Sequence, residues 1–102
     1  MTDIDVALQA LRSDAQLWST AADNVEAPKA AIGGLALSGA EMSMYAVDLG
    51  LDRTYNDARD QMIGMLGQGQ QNFTNLSQAL LAAADTYQRE EEANLHMIEG
   101  IY

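Results

Sequence analysis

Apolar side chains recur through the first third of the chain at Ile4, Leu8, Leu11, Ala15, Trp18, Ala22 and Val25, in alternating steps of four and three. That is the a/d spacing of a helix with one narrow apolar stripe, not the two-residue period of a strand. Asp14, Ser19, Asp23 and Glu26 fill the opposite side. Thr2 or Asp3 can cap the start, and the early acids suit the positive end of the helix dipole. Pro28 lacks a backbone donor and disfavours the helical conformation at Ala27, so a kink or stop is expected there. Ile32 extends the stripe, and Gly33-Gly34 ends it.

Residues 34–51 form a connection too apolar to be a free linker, with Met42, Met44, Tyr45, Val47, Leu49 and Leu51. Ser38 and Glu41 have the spacing of a capping box, which would open a short helix through about Val47. Gly50 is placed to stop it. The segment is expected to pack across the end of a helical pair.

A long second helix is expected from about Asp52, a good cap, to about Ile98. Its stripe runs through Tyr55, Ala58, Met62, Met65 with Leu66, Gly69, Phe73, Leu76, Leu80, Ala83 and Tyr87. Gly64, Gly67 and Gly69 each weaken it by about 1 kcal/mol relative to Ala. Either the helix runs through them or it breaks near them into a third helix. Continuity is the expectation.

These elements predict an all-α fold, one domain built as an antiparallel two-helix hairpin with a short helical connection. The core set is Leu8, Leu11, Trp18, Val25, Met62, Leu66 and Phe73. At 1.5 Å per residue the second helix is roughly 70 Å long against roughly 45 Å for the first, so its acidic end, Tyr87 to Glu92, is expected to overhang. Leu17, Leu81, Ala84, Leu95 and Met97 lie beside the stripes and widen them toward what a bundle needs. Leu76, Leu80, Leu81, Ala84 and Tyr87 form the expected partner-facing set. Dimerisation into a four-helix bundle follows as an expectation.

Composition narrows the options. Among 102 residues the apolar content leans on Ala, and aromatics make up only 6%, so the core should be thin and oligomerisation a natural remedy. The net charge of −10 and five scattered basic residues argue against nucleic acid and against an anionic membrane surface. No cysteine is present, which leaves neither disulfides nor thiolate metal sites. Asp3 and Asp5 stand where a cleavable signal peptide needs positive charge, and no stretch approaches the ~20 apolar residues of a membrane span. From these facts alone the chain reads as cytosolic.

The C-terminal stretch changes that reading. An apolar, Ala-rich run, LLAAAD, leads into Tyr87, Arg89 and the three acids Glu90, Glu91 and Glu92, and then into Ile98-Glu99-Gly100-Ile101. Tyr87 and Glu91 form a Tyr-x-x-x-Glu pair late in the last helix. This resembles the Tyr-x-x-x-Asp/Glu export signal of type VII (ESX) secretion substrates. Together with chain length and the apolar-Gly-apolar tail, it looks most like the EspC-like ESX secretion-associated proteins, over roughly the last quarter of the chain. Related small substrates carry a Trp-x-Gly motif between their helices. Trp18, followed by Ser19 and Thr20 in mid-helix, departs from it and reads as a core residue.

The resemblance implies an actinobacterial protein, exported without a cleaved signal peptide to the envelope or beyond. It also implies a helical partner, as homodimer or heterodimer with another small substrate, and recognition by the type VII machinery. Tyr87 would dock its ring on an apolar surface and Glu91 would meet a basic group. The competing expectation is a cytosolic helical adaptor or chaperone in which Tyr87 only packs.

No enzyme is expected, because no nucleophile with its base, phosphate loop or paired acid/base site can be assembled. No cofactor or metal is expected either. Glu92 and His96 lie one turn apart, but a di-iron bundle uses two Glu-x-x-His units and this chain has one His. Met42, Met44, Met62 and Met65 fit either ordinary core or an adaptable contact surface.

Overall fold

A computed structural model describes residues 3–101, apart from the side chains of residues 98, 99 and 101. Thr2, the alternative cap, and the apolar side chains of the Ile98–Ile101 tail therefore lie outside the described residues. Every element is helical: α1 Asp3–Gly33, a single 3-10 turn Gly39–Glu41, α2 Met44–Asp48 and α3 Leu51–Ile101. Helix α1 runs through Pro28 rather than stopping there. Helix α3 continues unbroken past all three mid-helix glycines.

Contacts divide the chain into two units, Met1–Ala21 with Phe73–Tyr102, and Ala22–Asn72. In each, α1 and α3 pack antiparallel.

In the first unit, buried Leu8, Ala15 and Ala84 are joined by buried Ser77, whose hydroxyl donates to the Ala15 carbonyl at 2.7 Å. Small side chains at this contact let the helices approach closely, but they bury little: Leu8 supplies roughly 2 kcal/mol and the alanines less. Trp18 and Phe73 are half-buried, with ring centroids 5.2 Å apart and tilted by 42°.

In the second unit only Ala22 is buried. Polar clips do more of the joining. Gln70 donates to the Ala22 carbonyl at 3.1 Å and to Glu26 at 3.0 Å, and it accepts from Lys29 at 2.9 Å. These bonds flank Pro28 on α1 and hold the turn where one backbone bond is missing. Arg59 Nη1 donates to the Gly33 carbonyl at 3.1 Å, satisfying an end group of α1. Asn56 grips Leu37 from both sides, accepting from its N–H at 3.0 Å and donating to its carbonyl at 2.8 Å. That grip ties the connection to α3 and leaves Leu37, Met42 and Val47 half-buried.

Two local expectations are corrected here. Ser38 makes no cap bond to the backbone and instead meets the Glu41 carboxylate at 3.3 Å. Ser43 is the working cap, accepting from Ala46 N–H at 3.2 Å to open α2. Gly50, at φ +76°, makes the left-handed turn that ends α2 and leads into α3. Asp52 falls in the first turn of α3 rather than capping it.

The larger correction concerns which side of α3 faces α1. Its inward positions are Asp52, Asn56, Arg59, Ile63, Leu66 and Gln70 in one unit, and Phe73, Ser77, Leu80, Ala84, Gln88 and Glu91 in the other. This is a heptad stripe interleaved with polar side chains. The stripe read from the sequence shares Leu66, Phe73 and Leu80 with it, whereas Tyr55, Ala58, Met62, Leu76, Ala83 and Tyr87 each stand one residue, about 100°, around the helix from an inward position. Met62, expected in the core, is accordingly 54% exposed, whereas Leu66 and Phe73 are half-buried. On α1 the apolar stripe does face inward: Leu8, Ala15 and Ala22 are buried, and Leu11, Trp18, Val25 and Ile32 are half-buried.

Candidate functional site

Tyr87 and Glu91 lie one turn apart on α3, in the first unit. Tyr87 projects from the edge of the helix pair and is 43% exposed. Glu91 is half-buried and lines a shallow groove of about 300 Å³ with Ile4, Asp5, Leu8, Gln88, Glu92 and Leu95. This places Tyr87 to Glu92 abreast of the first turns of α1. The expected overhang of these residues is therefore corrected. The extra length of α3 is spent elsewhere, since residues 51–58 already run alongside the connection.

Charge around the pair is organised by Arg12. Its guanidinium donates to Gln88 Oε1 and lies 3.8 Å from Asp85. Gln88 in turn donates to Glu92 at 3.1 Å. Both Arg12 and Asp85 are largely exposed, so this ion pair adds little stability, but it fixes the orientation of Gln88 beside Glu91. Arg89 is exposed and lies roughly on the opposite face from Tyr87. The result is an aromatic ring and a carboxylate one turn apart on a helix, beside a shallow groove that mixes Ile4, Leu8 and Leu95 with the acids Asp5, Glu91 and Glu92. Such a surface is suited to being read by another protein.

The partner-facing set is only partly available for a partner. Leu76 is 39%, Leu81 44% and Tyr87 43% exposed, and Leu80 is half-buried. Ala84 is fully buried against α1 and is corrected from an interface residue to a core one. The second unit has exposed apolar side chains of its own. On α3, Leu51, Tyr55, Met62 and Met65 are 47%, 38%, 54% and 72% exposed. Tyr55, Ala58 and Met62 line an apolar groove of about 270 Å³ with Ile32, Leu35 and Arg59. Met44 and Tyr45 on α2 are 83% and 74% exposed. Exposure of three of the four singled-out methionines favours the contact-surface reading over the core one. Hydropathy marks these positions in the sequence but does not tell whether they face α1 or solvent.

Among the described residues, no three His, Cys, Asp or Glu side chains are grouped to hold a metal ion, and no helix is long and apolar enough to cross a membrane. No family model, curated protein or solved structure matches this chain.

Proposed function

We propose that this chain is a non-enzymatic type VII (ESX) secretion substrate acting by protein–protein contact, with Tyr87 and Glu91 as its export signal. The observation that carries the reading is their placement: an exposed Tyr ring one turn from a carboxylate on the final helix, beside a shallow groove of apolar and acidic side chains. The resemblance of the C-terminal stretch to EspC-like proteins supplies the system. The exposed apolar side of α3 supplies a surface for a helical partner, completing a four-helix bundle.

The test is distribution between cell pellet and culture filtrate for wild type, Tyr87→Ala and Glu91→Gln in an actinobacterial host carrying ESX systems. Wild type in the filtrate, with both variants retained at normal abundance, is the expected result. Because Tyr87 is substantially exposed, its truncation should leave far-UV circular dichroism unchanged, which separates failed export from failed folding. Retention of all three in the pellet overturns the export reading and favours a cytosolic helical adaptor.

A further inference from the structure

The groove of about 300 Å³ between early α1 and late α3 has two kinds of lining. Ile4, Leu8 and Leu95 are aliphatic, and Asp5, Glu91 and Glu92 are acidic. Leu95 is 56% exposed, an aliphatic side chain left uncovered beside carboxylates. The acids are not equivalent. Glu92 accepts from Gln88, a neutral donor that leaves its charge in place. Glu91 is half-buried at an inward position of α3, and its carboxylate makes no hydrogen bond or ion pair among the described residues. Neighbouring Glu90 is exposed and is ordinary solvated surface.

This unit has no cation to give Glu91. Its basic residues are Arg12 and Arg89 alone. Arg12 is engaged with Gln88 and Asp85, and Arg89, two residues before Glu91, projects from the opposite side of the helix. A carboxylate partly shielded from water gains more from an arriving cation than a fully exposed one does, because the local dielectric is lower. A bare cation would leave the aliphatic lining uncovered, and an uncharged apolar segment would leave Glu91 unpaired. A third helix laid along two packed helices presents both kinds of group one turn apart. We infer that this groove binds a basic amphipathic helix of another protein, with an aliphatic side chain on Leu8 and Leu95 and a Lys or Arg against Glu91. The net charge of −10 acts in the same direction, since it speeds encounter with a basic partner and opposes an acidic one.

The inference deepens the export reading, on which it rests for the role of Glu91, and it extends the recognised surface to the start of α1. Its test measures binding rather than export. The probe is a synthetic amphipathic helix with Leu on one side and Lys on the other, titrated into the purified, isotopically labelled full chain. Binding should shift the amide signals of residues 4–8 and 88–95 and weaken as salt rises. Glu91→Gln and Leu95→Gln, with unchanged circular dichroism, should each weaken it by about tenfold. Probes with Ser in place of Leu, or Glu in place of Lys, should bind weakly or not at all. Equal binding of the Ser probe would mean a general attraction of opposite charges, and equal binding of the Glu probe would mean apolar contact alone. Either result overturns the proposal, as do shifts centred on Tyr55 and Met62, or full affinity in Glu91→Gln. A chain that binds the Leu–Lys helix yet stays in the pellet keeps this inference and loses the export reading. A chain that is exported, and retained as Tyr87→Ala, but does not bind the helix does the reverse.

Discussion

At the scale of single residues, the second unit depends on polar side chains doing what apolar ones usually do. Asn56 occupies an inward heptad position and satisfies both backbone groups of Leu37. Asn56→Ala leaves those half-buried groups unpaired, at a cost of about 1–3 kcal/mol. The expected readout is a lower urea midpoint together with faster amide exchange at Leu37. Glu26 offers a second check. Its carboxyl is held below the usual glutamate range, chiefly by the Gln70 hydrogen bond and then by the bond to and charge of Lys29. A depressed folded-state pKa contributes stability above the unfolded value of about 4.3, and that contribution is lost as pH falls through the folded value. Glu26 is exposed, so the effect on stability is small, and the carboxyl resonance is the better probe. In Gln70→Ala its titration should move up toward an ordinary glutamate; an unchanged midpoint would mean that Gln70 is not the cause.

At the scale of the helix, the glycines and alanines of α3 answer to where each one sits. Gly64 lies on the outer side, away from both α1 and the exposed stripe, and a Cβ there meets no atom within 4 Å. Gly64→Ala should therefore stabilise the chain by roughly 0.5–1 kcal/mol through the unfolded state and helix propensity, raising the thermal midpoint. Gly67 and Gly69 are half-buried, though a Cβ built on either also meets no atom within 4 Å. The buried small residues of the first unit follow the opposite rule. Ala84 has no exposed surface against α1, so Ala84→Leu forces the helices apart and should cost about 1–3 kcal/mol. A neutral result in chemical denaturation would show that this contact is looser than its burial implies.

At the scale of the whole molecule, the buried apolar set among the described residues is one leucine and three alanines. A core this thin makes stability depend on what covers the exposed stripe. If a second copy covers it, the thermal midpoint must rise with protein concentration, by a few degrees per tenfold increase, as mass action requires. Scanning calorimetry over a hundredfold range checks this, and a constant midpoint would count against pairing. The acidic surface adds an ionic-strength effect: salt screens repulsion between like-charged copies, so association should strengthen as salt rises.

The sequence by itself determined the helical character of the chain, the apolar stripe of α1, the stop at Gly50 and the Tyr87–Glu91 pair. Each of these is local, set by spacing along one helix or by the backbone freedom of one residue. Tertiary structure decided which side of α3 turns inward. The more apolar stripe was the natural choice from hydropathy, yet Asn56, Arg59, Gln70 and Ser77 face α1. Asn56 reaches both backbone groups of Leu37 in the connection, while Arg59, Gln70 and Ser77 reach backbone carbonyls of α1, partners that hydropathy cannot register. The same choice set Ala84 inside and left Tyr55, Met62 and Met65 exposed. It also brought Tyr87 to Glu92 level with the start of α1. Where a helix begins against its neighbour depends on how the connection folds, and the grip of Asn56 on Leu37 fixes that in three dimensions.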